Sequence, residues 1–386
     1  MIQAKEFVEA ARELGFSRYT GVPCSFLTPF INYVINDDSL EYVSSANEGD
    51  ALATAAGSAI AGQPSIVMMQ NSGLGNAVSP ITSLSYVFRI PNLIISTHRG
   101  QPGVKDEPQH ELMGQITKEL FDLMRVPWEI FPKTKEEIAP ALKRANEYMK
   151  KEQRPYAFIM QKGTVAPEAL NKNPVKDISA RKTEYRSSHN PDAVITNRNN
   201  ALRRIIEHSP EKQTVLIATT GFSGRELFSV DDRENQLYMV GSMGCASSLG
   251  LGVALARPDL KVVIIDGDGA GLMRMGNFAT IGSYAGNNLI HILLDNEVHD
   301  STGGQATVAG NINFAKIAEA SGYSVSLTGN EIELIDELFT LKGHDGPVFA
   351  HLKIRSGTIE DLPRPNVTPN EVLTRLVQHI DNNITS

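Results

Sequence analysis

Cysteine is scarce in this sequence, with only Cys24 and Cys245 among its 386 residues. Neither cysteine lies in a metal-binding spacing or a redox motif, which argues against a disulfide framework and against a cysteine-based metal site. So little cysteine is typical of proteins in a reducing compartment. We therefore predict a cytoplasmic protein in which both thiols are small buried residues.

Long apolar runs and basic runs are also missing. No apolar run approaches the ~18 residues of a membrane span, and residues 2–7 form an amphipathic pattern rather than the charged-then-apolar plan of a signal peptide. The net charge is -8, which argues against nucleic acid as a partner. The sequence thus predicts neither a membrane nor a nucleic-acid partner, and an anionic ligand would need local positive charge.

Strand-like and helix-like segments alternate in both halves of the chain, a pattern that favours an α/β fold with two doubly wound parallel sheets. The length is sufficient for two domains of ~100 to 200 residues each. Residues 171–191 are polar and lack periodicity, so we predict a linker there. The predicted domains are residues 1–170 and 192–386, with no middle domain. A long loop at 101–114 follows a predicted strand, and such loops are often functional.

The most informative stretch contains two apolar runs, 262–265 and 289–294, with the composition of buried parallel strands. Asp268 follows the first run and Asn296 the second, so both are predicted to face one crevice beyond the strand ends. Their oxygens suit Mg²⁺, while the glycines beside Asp268 and a helix predicted to begin near Gly271 would admit a diphosphate. Gly-Asp-Gly alone is also an ordinary turn. The second strand with its asparagine favours the metal-diphosphate site.

This pairing of Gly-Asp-Gly with a strand-end asparagine resembles the motif of thiamine diphosphate-dependent enzymes. Within that family, five further segments together resemble the decarboxylases of phosphonopyruvate and sulfopyruvate: GVPCSFL (21–27), ANEGDA (46–51), QNSGLGNA (70–77), DEPQHELMG (106–114) and DNEVHDSTGGQ (295–305). The resemblance covers nearly the whole chain. It implies thiamine diphosphate and Mg²⁺ as cofactors, a pyrimidine-binding domain at 1–170 and a diphosphate-binding domain at 192–386.

The resemblance also implies a metal-ligand set, in which Asp268 and Asn296 bind through their side chains and Val298 through its backbone carbonyl. Ala270 stands where many members carry serine, so a hydroxyl contact to the phosphate is absent. The residues implied in cofactor binding are Glu48, Gly73, Thr220, Gly221, Gly241, Ser242, Met243, Asp268, Gly269, Ala270, Asn296 and Val298.

Glu48 stands at a predicted strand-to-helix junction, where a carboxylate is favoured by the helix dipole alone. The resemblance adds that this residue hydrogen-bonds the ring nitrogen of the aminopyrimidine, a task that suits a carboxyl group in a dry pocket. Met243 matches the apolar residue that supports the bent cofactor, and Gly241 matches a carbonyl that accepts from its amine. Methionine is also a common core filler.

Substrate recognition and proton transfer need further residues. Ser25 matches a loop position that contacts the substrate carboxylate in related decarboxylases. His110 and His299 are candidate proton donors because their usual pKa is near neutrality. Arginine is well suited to the oxygens of a phosphonate. The candidate cations are Arg99, Lys105, Arg355 and, least favoured, Arg274.

The implied reaction is the non-oxidative decarboxylation of 3-phosphonopyruvate to phosphonoacetaldehyde and carbon dioxide. Sulfopyruvate or another 2-oxo acid is the alternative substrate, and because sulfopyruvate decarboxylase is typically split into two subunits, a single chain favours phosphonopyruvate. A catalytically silent relative is a second alternative. A nicotinamide dehydrogenase is a third, although Gly241 and Gly244 lack the third glycine and the later acidic residue of that fingerprint. The resemblance further implies a homo-oligomer whose minimum active unit is a dimer.

Overall fold

The structure, a computed structural model, describes residues 1–173 and 176–383. The chain divides into two compact units, an N-terminal unit (Met1–Val175) and a C-terminal unit (Lys176–Ser386). No helix in the described residues is long and apolar enough to span a membrane.

The N-terminal unit contains a six-stranded parallel sheet in the order β2-β1-β3-β4-β6-β5. Its strands are β1 (Arg18–Gly21), β2 (Glu41–Ser44), β3 (Ser65–Met69), β4 (Leu93–Thr97), β5 (Trp128–Ile130) and β6 (Tyr156–Met160). The sequence pattern predicted all of these except β5, which has three half-buried residues and therefore no clear apolar run.

Helices cover both faces of this sheet. They are α1 (Ala4–Glu13), α2 (Thr28–Asn36), α3 (Glu48–Ile60), α4 (Leu74–Pro80), α5 (Tyr86–Phe88), α6 (Glu111–Leu123) and α7 (Lys135–Glu152), with shorter 3-10 turns at Asn71–Gly73 and Pro108–His110 and a π-helical turn at Ile81–Ser85. The side chain of Asn47 caps α3 by accepting from the backbone N–H groups of Gly49 and Asp50 at 2.8 and 3.1 Å. The alanine-rich helix α3 packs closely on the sheet and is buried over most of its length.

The C-terminal unit contains a seven-stranded parallel sheet in the order β7-β14-β15-β11-β10-β8-β9 and a small antiparallel hairpin, β12-β13. The strands are β7 (Glu184–Ser188), β8 (Thr214–Ala218), β9 (Gln236–Tyr238), β10 (Lys261–Gly267), β11 (Leu289–Asp295), β12 (Val298–His299), β13 (Gln305–Ala306), β14 (Val325–Gly329) and β15 (Val348–Lys353). Strands β10 and β11 are neighbours in the middle of the sheet, with Gly267 opposite Leu294. Asp268 and Asn296 therefore leave the same edge of the sheet from adjacent strands, as the sequence predicts.

The helices of this unit are α8 (Arg198–Glu207), α9 (Phe222–Val230), α10 (Ala246–Ala256), α11 (Asp268–Met273), α12 (Gly276–Tyr284), α13 (Phe314–Ala320), α14 (Glu333–Thr340) and α15 (Pro369–Asn382), with 3-10 turns at Glu211–Gln213, Asp300–Thr302 and Ala309–Asn311. Helix α11 begins at Asp268 rather than near Gly271, so that part of the prediction was wrong. Gly267 is extended, with φ -105 and ψ 166, and the following carboxylate is well placed in the first turn of a helix.

The predicted α/β class with two doubly wound parallel sheets is confirmed. Two local predictions were wrong. The predicted linker contains β7, an exposed edge strand that pairs with β14 and was missed because its own sequence is polar. The predicted loop at 101–114 already includes the start of α6.

Candidate active site

A cleft opens in the C-terminal unit beyond the carboxyl ends of β8, β10 and β11. It gathers predicted metal ligands, diphosphate contacts and one candidate proton donor in a single place. The predicted residues that line it are Thr220, Gly221, Met243, Asp268, Gly269, Ala270, Asn296, Val298 and His299. Gly241 and Ser242 immediately precede Met243 in the chain but are not among the lining residues.

Asp268 contributes a buried carboxylate to this cleft, with only 3% of the residue exposed. One of its oxygens accepts a hydrogen bond from the hydroxyl of Thr307. Burial raises the pKa of Asp268, and the neighbouring charge of Asp295 acts in the same direction. A bound cation would reverse both effects, since it would supply the positive charge that the carboxylate lacks in this pocket.

Asn296 lines the same cleft directly after β11, the strand next to the one that precedes Asp268. Its Nδ2 donates to Oδ2 of Asp300 at 2.5 Å, and its Oδ1 accepts from the backbone N–H of Val298 at 3.3 Å. Because the amine side of this amide is already used, its oxygen remains the group available to a ligand. One carboxylate, one amide oxygen and one backbone carbonyl are hard donors, which fit Mg²⁺ with the rest of its shell from phosphate and water.

No group of three or more His, Cys, Asp and Glu side chains able to hold a metal occurs among residues 1–173 and 176–383. A donor set completed by an amide, a carbonyl and a phosphate-bearing ligand does not need such a group.

Gly269 is the point at which His299 and Met243 pack directly against the backbone of the cleft. A Cβ atom at this position would lie 2.5 Å from Cε1 of His299 and 2.9 Å from Cε of Met243, so a side chain there would displace both. Gly221 has φ +94, a left-handed conformation that favours glycine, and directly precedes the first turn of α9. The hydroxyl of Thr219, in the same cleft, is buried without a hydrogen-bond partner among the described residues. These features fit a polyanionic ligand in this cleft.

Glu48 lies in the N-terminal unit, at the first position of α3, and is 9% exposed. Its Oε2 accepts a hydrogen bond from Nδ2 of Asn76 at 2.8 Å. Gly73 packs directly against the carboxyl group, since a Cβ atom there would lie 2.3 Å from Oε1. The structure thus places two predicted residues, Glu48 and Gly73, side by side, and adds Asn76 as a residue that holds the carboxyl in place.

We expect Gly73→Ala to displace the Glu48 carboxyl, because the added methyl group and the carboxylate cannot occupy the same space. If Glu48 has the catalytic role that the resemblance implies, its misplacement by about 1 Å should lower turnover roughly a hundredfold. Steady-state kinetics and thermal unfolding of the variant measure the two effects separately. Gly75→Ala is the matched control, since no described atom lies within 4 Å of a Cβ there. Full turnover in Gly73→Ala would show that this contact does not position Glu48.

Ser25 and Arg99 form a second polar group in the N-terminal unit. Nη1 of Arg99 donates to the Ser25 hydroxyl at 3.0 Å, and Nε donates to Asp106 at 2.8 Å. The guanidinium also lies over the ring of Phe26, 4.8 Å from its centroid. The Arg99 hydrogen bonds hold the pKa of Asp106 well below its usual range. Arg99 is therefore held in a fixed orientation by a paired carboxylate.

The other candidate cations occupy different places. Lys105 is exposed on the loop that also carries Asp106. Arg355 is exposed after β15, beside a separate groove of the C-terminal unit. Arg274 follows α11 and packs its side chain near Gly244. Among these cations, the structure groups only Arg99 with Ser25.

The two candidate histidines lie in different units. His299 is half-buried in the cleft and contacts the position of Gly269. His110 is buried in the N-terminal unit, and its Nδ1 has no hydrogen-bond partner among the described residues.

Sequence reasoning missed Arg198, Asp300, Asn76 and Thr307. Arg198 is a buried guanidinium that lines the cleft and is paired with Glu226 and Asp300 at 3.0 and 2.7 Å. It begins a helix in a polar stretch far along the chain from the motifs, so no spacing pointed to it. Asp300 lies within DNEVHDSTGGQ, and its position directly after His299 was the one available signal.

Two family models match the chain. A model described as "Thiamine pyrophosphate enzyme, N-terminal TPP binding domain" matches residues 2–122. A model described as "Thiamine pyrophosphate enzyme, C-terminal TPP binding domain" matches residues 221–352. Thiamine pyrophosphate is another name for thiamine diphosphate, so the predicted organic cofactor agrees with both matches.

Two relatives are similar over almost the whole chain. A phosphonopyruvate decarboxylase of Streptomyces viridochromogenes is 43% identical over 380 residues, which covers 97% of this chain and 94% of that protein. A sulfopyruvate decarboxylase of Methanosarcina acetivorans is 27% identical over 385 residues, which covers 98% of this chain and 97% of that protein. The second relative is a single chain of similar length, so a single chain also occurs among sulfopyruvate decarboxylases, although those of Methanococcus maripaludis are split into alpha and beta subunits.

The fold also resembles that of a solved structure, benzoylformate decarboxylase from Polynucleobacter necessarius. The TM-score is 0.70 at 14% identity, with 92% of this chain and 99% of that chain covered. At this identity the similarity concerns the fold alone.

Proposed function

We propose that this chain, which belongs to the thiamine pyrophosphate enzyme family and within it to the phosphonopyruvate decarboxylases, converts 3-phosphonopyruvate to phosphonoacetaldehyde and carbon dioxide. The observation that carries the proposal is the cleft in which Asp268, Asn296 and Val298 meet beyond two adjacent strands. These groups would hold Mg²⁺, and the backbone at Gly221 and Gly269, which carries no side chains, would face the diphosphate. The chain is a carbon-carbon lyase by this reaction.

When bound, thiamine diphosphate supplies the electron sink for the pair of electrons that remains as carbon dioxide leaves. Asp268 would balance the metal charge. Met243, which packs against Gly269, would support the cofactor. The backbone N–H groups in the first turn of α9, after Gly221, would be available to the diphosphate.

Glu48 has a different task, which is to share a proton with the ring nitrogen of the aminopyrimidine. The hydrogen bond from Asn76 and the contact with Gly73 leave the carboxyl few alternative positions. A carboxyl group held in this way can exchange a proton without first losing water or rotating, which is the condition for efficient general acid-base catalysis. His299 and His110 remain the candidate donors of the proton that replaces the departing carboxylate.

The phosphonate of the substrate is assigned to Arg99, and the substrate carboxylate to its neighbour Ser25. Arg99 already shares its charge with Asp106, so the pair would bind an anion through oriented N–H groups rather than through a net positive charge. Lys105 on the same loop would add the uncompensated charge. A phosphonate carries between one and two charges near neutral pH, a sulfonate one, and the methyl group of pyruvate none. The proposed order of preference therefore runs phosphonopyruvate, sulfopyruvate, pyruvate.

We expect Arg99→Ala to lower kcat/KM for phosphonopyruvate by about a hundredfold or more. The phosphonate would then be bound without its hydrogen-bond donors, which costs several kcal/mol. Turnover of pyruvate should change little, since its methyl group makes no such contact. Steady-state kinetics on the three acids measure the difference, with the exposed surface change Lys143→Ala as the control. If Arg99→Ala and Lys105→Ala lose phosphonopyruvate and pyruvate turnover in equal proportion, the anion site lies elsewhere and Arg355 is the next candidate.

A dimer is the proposed minimum active unit, since the resemblance implies that the pyrimidine-binding and diphosphate-binding halves of each site come from different chains. Two inactive variants test this arrangement, one that lacks Glu48 and one that lacks Asp268. A mixed dimer of these variants would contain one site with both changes and one site with neither. After subunit exchange, an equal mixture should therefore recover about a quarter of wild-type activity, and sedimentation should show a dimer or a larger assembly.

No recovery after demonstrated subunit exchange, or a fully active monomer in sedimentation, would contradict the shared site.

We propose a cytoplasmic location for the enzyme. Its support is that Cys24 and Cys245 are buried thiols, in keeping with a reducing compartment.

A further inference from the structure

Asp300 occupies a central place in a hydrogen-bond network beside the proposed metal site. It lies in the 3-10 turn that follows β12 and is largely buried, with 11% of its side chain exposed. A single oxygen, Oδ2, accepts from Nδ2 of Asn296 at 2.5 Å, from Nη2 of Arg198 at 2.7 Å and from the backbone N–H of Gly357 at 3.1 Å. These three donors reach Asp300 from three separate segments of the C-terminal unit.

The contact with Asn296 decides which end of that amide faces a ligand. An asparagine amide has an acceptor oxygen at one end and a donor NH₂ at the other, and the two orientations have nearly the same shape. Only the oxygen can bind a cation. A carboxylate accepts but does not donate, so Asp300 is compatible with the NH₂ group of Asn296 and not with its oxygen.

Arg198 offsets part of the negative charge of this arrangement. Its guanidinium is buried and lies between the carboxylates of Asp300 and Glu226, and it also donates to the carbonyl oxygen of Gly357 at 3.0 Å. Thr358 donates to the same Glu226 oxygen at 2.7 Å. The Asp300 oxygen that faces Asn296 is thus fixed by an ion pair and by backbone and side-chain donors, which leaves it a poor competitor for the metal.

We propose that Asp300 is a positioning residue that fixes the Asn296 amide with its oxygen toward the Mg²⁺ of the bound cofactor, and that Arg198 holds Asp300 in place for this task. The inference rests on the proposed function insofar as it needs a metal-cofactor site in this cleft. It does not depend on which oxo acid is the substrate.

The test measures the Mg²⁺ concentration at which the purified protein retains half of its thiamine diphosphate in equilibrium dialysis. Groups that orient a metal ligand typically change metal affinity by about 10- to 100-fold when removed. We expect Asp300→Ala to raise the half-saturating Mg²⁺ concentration by that factor. Asp300→Asn keeps an acceptor oxygen opposite Asn296 and should raise it only a few-fold.

A second substitution separates orientation from other effects. A carboxylate at position 296 offers an oxygen in either orientation, so the double variant Asn296→Asp with Asp300→Ala should recover Mg²⁺ dependence to within a few-fold of wild type. It also keeps the net charge of the site unchanged. Asn296→Asp alone should bind poorly, because two carboxylates would then lie in direct contact.

Thermal unfolding of each apo-protein identifies a loss that comes from misfolding, and Thr302→Ala, an exposed change in the same turn, is the control. Wild-type Mg²⁺ dependence in Asp300→Ala would overturn the inference. So would a folded double variant that binds no better than Asp300→Ala. If the wild-type protein binds Mg²⁺ and cofactor but decarboxylates no oxo acid, the proposed function fails and this inference stands. A wild-type protein that retains neither overturns both.

Discussion

Replacing Glu48 by glutamine should reduce decarboxylation to near the limit of detection while the protein still retains its cofactor. An amide has nearly the shape of the carboxyl group and can keep the contact with Asn76, but it cannot take up and release the proton that the aminopyrimidine nitrogen needs. Loss of a positioned general acid-base group typically costs about 10²- to 10⁴-fold in rate. Cofactor content after gel filtration and the rate of hydrogen-deuterium exchange at the thiazolium carbon distinguish chemistry from binding.

Glu13→Gln is a suitable control, since it makes the same chemical change at an exposed position on α1. Wild-type exchange in Glu48→Gln would remove the proton-sharing role from Glu48. Loss of cofactor from this variant would instead mean that the carboxyl contributes mainly to binding.

Asp268→Ala should have the second large effect, a loss of cofactor retention. This side chain is the only charged member of the proposed ligand set, so without it the metal and diphosphate lose their link to the sheet. Mutation of a residue that only orients a metal ligand typically lowers metal affinity by about 10- to 100-fold. Removal of the charged ligand itself should lower the affinity by more than that. Equilibrium dialysis of thiamine diphosphate against Mg²⁺ measures the change, with the exposed Asp192→Ala as the control.

Although Asp268→Ala should weaken cofactor binding, it should not destabilise the protein in the absence of cofactor. Burial raises the folded-state pKa of Asp268 above its unfolded value, so the folded apo-protein binds more protons than the unfolded chain between those two values. The stability of the apo-protein that depends on this group therefore falls as pH rises through that interval. At neutral pH, apo Asp268→Ala should be at least as stable as apo wild type, and Mg²⁺ with cofactor should raise the unfolding temperature of wild type only. If apo Asp268→Ala were much less stable than apo wild type, the inference that the buried Asp268 carboxylate destabilises the apo-protein at neutral pH would be wrong.

The fold was predictable where apolar runs were long. Residues 262–265 and 289–294 marked two central strands because strands buried on both faces must be apolar throughout. The edge strands β5 and β7 were missed for the converse reason, since β5 is short and half-buried and β7 is exposed and polar. Strand β14 and helix α9 lay between motifs and were not recognised.

The site was predictable where one residue type at one spacing carries the chemistry. Asp268, Asn296 and Val298 belong to such a motif, and the structure brings them to one cleft. Arg198 and Asp300 contact the site from segments that are far apart in the chain. Such contacts cannot be predicted from the order of residues in a single sequence. Their roles become visible only once the sheet has brought the segments together.

The measurement that tests the central claim most directly follows 3-phosphonopyruvate by phosphorus NMR in the presence of the purified protein. With both thiamine diphosphate and Mg²⁺ present, the substrate signal should be replaced by that of phosphonoacetaldehyde, with one equivalent of carbon dioxide released. Omission of either cofactor should stop the conversion, and sulfopyruvate and pyruvate should react with successively lower kcat/KM. A protein that retains cofactor and Mg²⁺ but leaves 3-phosphonopyruvate unchanged, or that prefers sulfopyruvate, would contradict the proposed function.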